Sequence, residues 1–403
     1  MNKININQAV IFCGGKGTRL GNLTIKNPKP MIIVNKKPFL EHLINQLKNN
    51  NIKKILLLTG YLHKKIKNYF KDGSKLGVKI TYSQNPSDCE TGLRLLKAKK
   101  FIKKKFLLLY CDNYSSLNIK ELNKINKNHL VTLSLVKKKN GNCKIEKDIV
   151  YYSKKKKINP YVEIGYSIIN KKIFNYFENK NCSFSYYLKK LSKKNLINYF
   201  INQTNYLSIG DQKRLKITRK YFKNNNFVLV DRDGVLNVKS KESRYIETID
   251  QLKINKDFIK NILKYKSKIK LICITNQAGI ATKQVKVKNL IKINKKIIYE
   301  YKKLGIKIVD FFISKDHFLS NSFLRKPNPG LFIKASKKYK FILDRTFYIG
   351  DDKRDIEAAY RAHSKCYFFN KEKLSLKEFS KYKLILIKNT INNTIKNQIE
   401  SNL

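Results

Sequence analysis

Asp231 and Asp233 stand two residues apart in the run from Phe227 to Asn237, F-V-L-V-D-R-D-G-V-L-N. Two carboxylates at this spacing just past a strand can divide labour: one acts as nucleophile or metal ligand, the other as general acid and base. Three later stretches carry compatible chemistry. Thr275 and Asn276 offer a hydroxyl and an amide that can bind a phosphate, and Arg325 and Lys326 offer two cations just before a helix start. Asp351 follows Gly350 and adds another carboxylate. Near the N-terminus, Gly14, Gly15, Lys16, Gly17, Thr18 and Arg19 form a glycine-rich loop whose backbone N–H groups and cations suit an oxyanion. It lacks the G-K-[ST] ending of a P-loop. Pro28 and Pro30 stiffen the segment that aims Lys29, and Asp112 ends another apolar run.

These groups need strand ends to converge. Gln8 to Cys13, Ile52 to Thr59, Val78 to Ser83 and Phe106 to Cys111 read as strands, alternating with helical patterns at Phe39 to Lys48, Leu62 to Phe70 and Leu93 to Phe101. The alternation predicts a mostly parallel sheet wrapped by helices. Leu130 to Val136, Ile149 to Tyr152 and Tyr161 to Ile169 read as an inserted β-sheet, with closing helices at Ser185 to Leu191 and Gln212 to Phe222. Further on, Phe227 to Val230, Ile269 to Ile274, Lys307 to Ile313 and Thr346 to Ile349 predict a second set of buried strands, with helices at Val285 to Lys303 and Ile356 to Ala362. Open α/β sheets bind ligands at the carboxyl ends of their strands, where Asp112, Asp231, Thr275 and Asp351 fall. An Asp at one strand end is ordinarily a helix cap; four sites in order on the second sheet, at Asp231, Thr275 with Asn276, Arg325 with Lys326, and Asp351, are harder to dismiss. The expected fold class is α/β in two domains, 1–222 and 227–385, with a linker at 223–226 and a Lys/Asn-rich tail at 386–403.

The length of 403 residues suits two domains, and 42% hydrophobic residues suffice for two cores. The net charge of +59 comes from 77 Lys against only 10 Arg, spread through both halves. Nucleic-acid binders concentrate cations on one face with Arg and aromatic readers, so a compositional bias toward Lys, Asn and Ile explains the charge better. A basic nucleic-acid-associated protein stays the alternative of another class. Against this Lys-rich background, Arg19, Arg232, Arg325 and Arg354 mark places where a planar bidentate donor is needed. Seven scattered Cys with no C-x-x-C pair fit neither a disulfide framework nor a structural zinc site. With a polar N-terminus and no long apolar run, the chain reads as cytoplasmic, with no membrane partner.

The motifs G-G-x-G-T-R-L, P-K-P-M and the strand ending at Asp112 resemble the sugar-1-phosphate nucleotidyltransferases over residues 1–222. The resemblance implies a Rossmann-like nucleotidyltransferase fold that joins a sugar 1-phosphate to the α-phosphate of a nucleoside triphosphate, GTP being the expected one, with release of pyrophosphate. Gly14 to Arg19 would cradle the triphosphate, Lys29 would bind the reacting phosphate and Asp112 would hold Mg²⁺. Gly92, with Thr91, would line the cleft; Glu163 and Gly165 would contact the sugar. The family's second metal-binding Asp is replaced by Ser208, which makes a degenerate domain the alternative.

Residues 227–370 resemble the haloacid dehalogenase-like phosphatases, with D-R-D-G-V-L-N and T-N-Q-A-G-I closest to the heptose 1,7-bisphosphate and histidinol phosphatases. The resemblance implies that Asp231 forms an aspartyl-phosphate and Asp233 serves as acid and base. Thr275 and Asn276 would bind phosphoryl oxygens, Lys326 would neutralise charge and Arg325 would hold the substrate's other anionic end. Asp351, Asp231 and the Asp233 carbonyl would bind Mg²⁺. The zinc loop common in that family is missing its Cys residues and leaves only His317, so no zinc is expected. The two resemblances together imply a bifunctional enzyme of nucleotide-activated heptose synthesis, supplying lipopolysaccharide or another glycan and acting on sugar phosphates and a nucleoside triphosphate. A histidinol phosphatase with a degenerate first domain is the alternative.

Overall fold

A computed structural model describes residues 6–116, 119–125, 129–153, 159–224, 226–240 and 243–369, with 375, 393, 395 and 396. Apart from those last four, the expected terminal element after about residue 371 and the 386–403 tail lie outside the described residues. The chain divides into two compact units, Met1–Arg219 and Lys220–Leu403. Among the described residues no helix is long and apolar enough to cross a membrane.

In the first unit, β1 (Gln8–Cys13) is buried at every position. A small ribbon, β2 (Ile33–Val34) with β3 (Lys37–Pro38), leads into α1 (Phe39–Asn49). There follow β4 (Lys54–Thr59), α2 (His63–Phe70), β5 (Lys79–Gln84), α3 (Thr91–Lys97), β6 (Lys105–Tyr110) and the short β7 (Asn113–Ser115). β1 pairs in parallel with β4 and β6, and β4 with β5. Strands covered on both faces need no polar alternation, which is why the runs in β1, β4 and β6 are continuously apolar.

The second half of this unit brings α4 (Ile119–Ile125), β8 (Val131–Lys137), β9 (Cys143–Glu146), β10 (Ile149–Tyr152), β11 (Tyr161–Asn170), α5 (Phe184–Lys193), β12 (Ile197–Ile201), β13 (Tyr206–Ser208) and α6 (Gln212–Lys223). The strands expected to form a separate inserted sheet instead extend the first one. β11 is long enough to pair antiparallel with both β6 and β8, giving a nine-stranded sheet. β13 and β7 form a small antiparallel pair that aligns Ser208 with Asn113.

The second unit holds β14 (Phe227–Val230), α7 (Lys256–Ile262), β15 (Lys270–Asn276), α8 (Val287–Lys303), β16 (Ile308–Ser314), α9 (Gly330–Tyr339), β17 (Phe347–Gly350), α10 (Lys353–Arg361) and β18 (Lys365–Phe368). Its sheet runs β16-β15-β14-β17-β18, all parallel. Alternate residues of β14 feed opposite cores: Val228 and Val230 face Ile293 and Tyr301, and Phe227 and Leu229 face Phe332 and Tyr348. The period of two is a strand's own geometry. Because β14 lies between β15 and β17, the end of β14 is flanked by Thr275 and by Gly350, with Asp351 one residue on. This is the crevice that parallel sheets present to ligands.

Candidate active sites

The second unit gathers four charged groups at one strand end. Lys326 reaches 2.9 Å to Asp231 Oδ1 and 2.7 Å to Asp355 Oδ1, and its Nζ also donates to the Tyr348 hydroxyl at 2.8 Å and the Ile274 carbonyl at 3.1 Å. The other Asp355 oxygen accepts the Asp351 and Asp352 amides, each at 3.0 Å, and this fixes the turn into α10. Asp352 completes a capping box there. Asp351 pairs with Lys239 at 2.7 Å.

One carboxylate oxygen each from Asp231, Asp351 and Asp355 lies within 4.8 Å of the others. Hard carboxylate oxygens of this kind suit a divalent cation such as Mg²⁺. Burial first, then the charges of Asp355 and Asp233, hold the Asp231 carboxyl up at about 7 against the pull of Lys326. Burial also raises Asp351. The burial of Lys326 would lower its pKa, but Asp231 and Asp355 outweigh that and raise it.

Asp233 is held apart from this group. Arg232 grips it through two bonds of 3.0 and 3.1 Å, Asn237 donates at 3.0 Å and Gln277 at 2.8 Å. Burial would raise its pKa, but the Arg232 charge and these donors bring it below the ordinary carboxylate value. Its side chain is therefore not part of the carboxylate cluster, and only its backbone carbonyl stays available for the metal role. Gln277 also donates to Thr275 Oγ1 at 3.0 Å, linking the hydroxyl to Asp233. The Asn276 side chain is taken up by the Lys326 backbone, at 2.9 and 3.0 Å, so it positions the lysine segment. Arg325 donates to the Asp316 carbonyl at 3.3 Å. Asp316 itself accepts from Ser314 at 3.1 Å and Ser322 at 2.5 Å, and these bonds brace the segment around His317.

In the first unit, the loop after β1 turns at Gly17 (φ 72°), where a β-carbon would lie 3.1 Å from Lys29 Cβ. The glycine thus lets Lys29 pack against the loop. Lys29 forms an ion pair with Asp112, joining the P-K-P segment to the β6 strand end. Gly15, Lys16, Thr18 and Arg19 are exposed, while Gly14 is buried beneath them.

Ser208 is brought next to Asp112: the Ile209 amide donates to the Asp112 carbonyl at 2.9 Å. Ser208 Oγ accepts the Gly210 amide at 3.0 Å. Asp211 accepts the Arg214 amide at 2.8 Å and pairs with the Arg214 side chain at 3.1 Å, so it caps α6. Glu163 is buried at a bulge in β11, where its carboxylate accepts the Gly165 amide. Burial raises Glu163 to about 7. Gly165 (φ 75°) admits the Tyr110 ring and the Asn113 side chain, which a β-carbon would meet at 2.6 and 2.9 Å.

Gly92, expected along the cleft, packs closely against α5. Its amide donates to the Cys182 carbonyl at 2.9 Å, and a β-carbon there would meet Tyr187 at 2.8 Å. Thr91 Oγ1 accepts the Phe184 amide at 2.8 Å.

Residues 8–142 match the nucleotidyl transferase family and residues 226–390 the polynucleotide kinase 3 phosphatase family. The D-glycero-alpha-D-manno-heptose 1-phosphate guanylyltransferase of Campylobacter jejuni is 34% identical over 195 residues, 46% of this chain and 87% of that protein. The chain belongs to the nucleotidyl transferase family. It carries a nucleotidyl transferase domain, and the segment after it matches the polynucleotide kinase 3 phosphatase family. The Bifunctional protein GlmU of Methanococcus maripaludis is 42% identical over 128 residues, 32% of this chain but only 29% of that protein. Among solved structures, the D,D-heptose 1,7-bisphosphate phosphatase of B. bronchiseptica aligns with 44% of this chain and 99% of its own, at 20% identity and a TM-score of 0.38.

Two buried charged residues at these sites escaped the sequence pattern. Asp355 lies inside a helix; the D-x-x-D spacing of Asp352 and Asp355 was its signal, since in a capping box the second carboxylate reaches back to the amides at the strand end. Arg94, discussed below, lies inside α3, and its signal was the scarcity of Arg.

Proposed function

We propose that the second unit removes the C7 phosphate of D-glycero-D-manno-heptose 1,7-bisphosphate, and that the first then transfers GMP from GTP to the sugar 1-phosphate. The observation that carries this reading is the similarity of the first unit to a guanylyltransferase named for heptose 1-phosphate. It occurs in a chain whose second unit brings Asp231, Asp351, Asp355 and Lys326 to one strand end.

In the phosphatase half, Asp231 attacks phosphorus while the bond to the sugar oxygen breaks, and Asp233 gives that oxygen a proton. Asp233 then takes a proton from water, which attacks the aspartyl-phosphate, releases inorganic phosphate and restores Asp231. Arg232 keeps Asp233 aligned, and its charge favours the ionised form that takes the proton from water once the sugar oxygen has been protonated. Lys326 neutralises charge on Asp231 and the phosphoryl group. Asp231, Asp351 and the Asp233 carbonyl would hold Mg²⁺, with Asp355 beside them; when bound it neutralises phosphate charge. Thr275 would bind a phosphoryl oxygen, and Arg325 the substrate's distal anion.

In the first unit, an oxygen of the sugar 1-phosphate attacks the α-phosphorus and pyrophosphate leaves. Gly14 to Arg19 would cradle the triphosphate, Lys29 would bind the α-phosphate and Asp112 would hold Mg²⁺, which lowers the charge on the triphosphate. Glu163 and Gly165 would face the sugar. Positioning and charge neutralisation carry such a reaction.

The test is a substrate screen of the whole chain with Mg²⁺, following phosphate and pyrophosphate separately. Phosphate release from the heptose bisphosphate should vanish in Asp231→Asn, and pyrophosphate release in Lys29→Ala. Hydrolysis of histidinol phosphate with the bisphosphate left intact would overturn the substrate assignment. The polynucleotide kinase 3 phosphatase match supports a second reading, removal of a phosphate from a nucleic-acid 3′ end. A 3′-phosphorylated oligonucleotide in the same screen separates the two.

A further inference from the structure

Arg94 is 2% exposed and, among the described residues, has no carboxylate within ion-pair distance. Its guanidinium instead donates to four backbone carbonyls. Nη1 reaches Thr59 and, at 3.3 Å, Asn85; Nη2 reaches Pro86 and Cys89, each at 2.8 Å. Two glycines leave room for it. A β-carbon on Gly14 would fall inside the guanidinium, and one on Gly60 would lie 2.8 Å from both Arg94 Nη1 and the Gly14 carbonyl. The Tyr61 amide closes the arrangement by donating to the Gly14 carbonyl at 3.1 Å. One side chain therefore ties the β4 end to the segment 85–89 and packs directly under the first residue of the glycine-rich loop.

The same segments line an open groove of about 560 Å³ that includes Gly60, Tyr61, Asn85, Pro86 and Ser87. A groove of that size suits a small ligand. Asn85, 9% exposed, has its amide nitrogen buried with no acceptor among the described residues. A guanidinium answered at close range only by carbonyls and an unanswered amide donor are both costly to bury. Both are complementary to a ligand that brings negative charge and a carbonyl oxygen. A nucleoside triphosphate brings phosphates for the loop and, in guanine, cytosine, uracil or thymine, a ring carbonyl for Asn85.

Resting on the nucleotidyl-transfer reading, we propose that Arg94 is the positioning residue of the nucleotide site. It holds the triphosphate loop and the base-side wall at a fixed separation. Its charge adds to the attraction for the nucleotide without touching it. The reacting centre at Lys29 and Asp112 is fixed by a separate ion pair. Loss of Arg94 should therefore weaken nucleotide binding in ground and transition state alike, which raises KM and spares kcat. A lysine keeps the charge but cannot fork across four carbonyls.

The experiment uses the whole chain with Mg²⁺ and titrates GTP, CTP, UTP, dTTP and ATP by calorimetry, with pyrophosphate release followed alongside. In Arg94→Lys, Kd and KM for the best-bound nucleotide should rise about tenfold while kcat stays within about threefold. Gly60→Ala, whose methyl displaces the guanidinium, should move Kd the same way. A Keto-bearing base should bind more tightly than adenine. An unchanged Kd in Arg94→Lys, with only the melting temperature lowered, would mean a merely structural arginine and overturn the proposal. So would failure of the unmutated chain to bind any of the five nucleotides. If it binds a nucleotide but releases no pyrophosphate, the nucleotidyl-transfer reading fails, while the Kd comparison still decides the role of Arg94.

Discussion

Lys326 and Asp355 form a 2.7 Å ion pair with side chains only 3% and 1% exposed, and the same ammonium serves Asp231. A cation shared by two buried carboxylates compensates both at once. Lys326→Met would leave both without it, at a cost of about 3–5 kcal/mol in stability for a broken buried pair. Phosphate release should fall to background in that variant. Lys326→Arg should recover stability better than activity, because the larger planar head restores charge without the four-acceptor geometry. Urea melts and phosphate assays on the two variants separate these outcomes.

Gly234 is fixed by a different constraint. Its φ is 89°, and a β-carbon would collide with the Asp351 carboxylate. Gly234→Ala should push Asp351 away from Asp231 and add backbone strain of about 1–3 kcal/mol. The Mg²⁺ concentration for half-maximal phosphate release should rise, and kcat should fall. An unchanged Mg²⁺ titration would show that Asp351 does not serve the cation.

How far the sequence led can be judged at these residues. Asp231, Asp351 and Thr275 were legible because each follows an apolar strand run, a signal confined to a few neighbouring positions. Lys326 was legible from its prolines and glycine. Asp355 and Arg94 were not, because a polar residue inside a helix ordinarily faces water and only tertiary packing turns it inward. Gly92 read as a cleft residue, and its missing side chain also serves the approach of α3 to α5, a packing role that the sequence pattern did not mark. The register that unites β11 with β6 also left no local mark, since long-range pairing depends on which strand ends meet.

Glu163 provides a pH test. Unfolded, it titrates near 4.5; folded, burial holds it near 7. Between those values the folded chain keeps a proton that the unfolded chain has released. Stability from this group is full below about 4.5, falls as pH rises through 7, and then levels, a loss of about 3 kcal/mol at most. Glu163→Gln should flatten that slope. The check is the difference between unmutated and variant melts at steps across the window, because other groups, Asp231 among them, titrate in the same range. Parallel curves for the two proteins would refute the assignment.

Ser208 allows the first site to be rebuilt. It is aligned with Asn113, next to Asp112, and its hydroxyl accepts the Gly210 amide, a bond that a carboxylate can also accept. Arg214 and Arg19 approach Gly210, at 3.3 and 3.9 Å from where its β-carbon would be, so an added negative charge there has cations nearby. Ser208→Asp should therefore fold and place a second carboxylate beside Asp112. If Asp112 holds Mg²⁺, pyrophosphate release in the variant should saturate at lower Mg²⁺, by about tenfold if the new ligand contributes about 1.4 kcal/mol. The same Mg²⁺ titration on Asp112→Asn should move the other way. A variant that folds but needs as much Mg²⁺ as the unmutated chain would place the cation away from Asp112, and the ion pair with Lys29 would then be the role of that carboxylate.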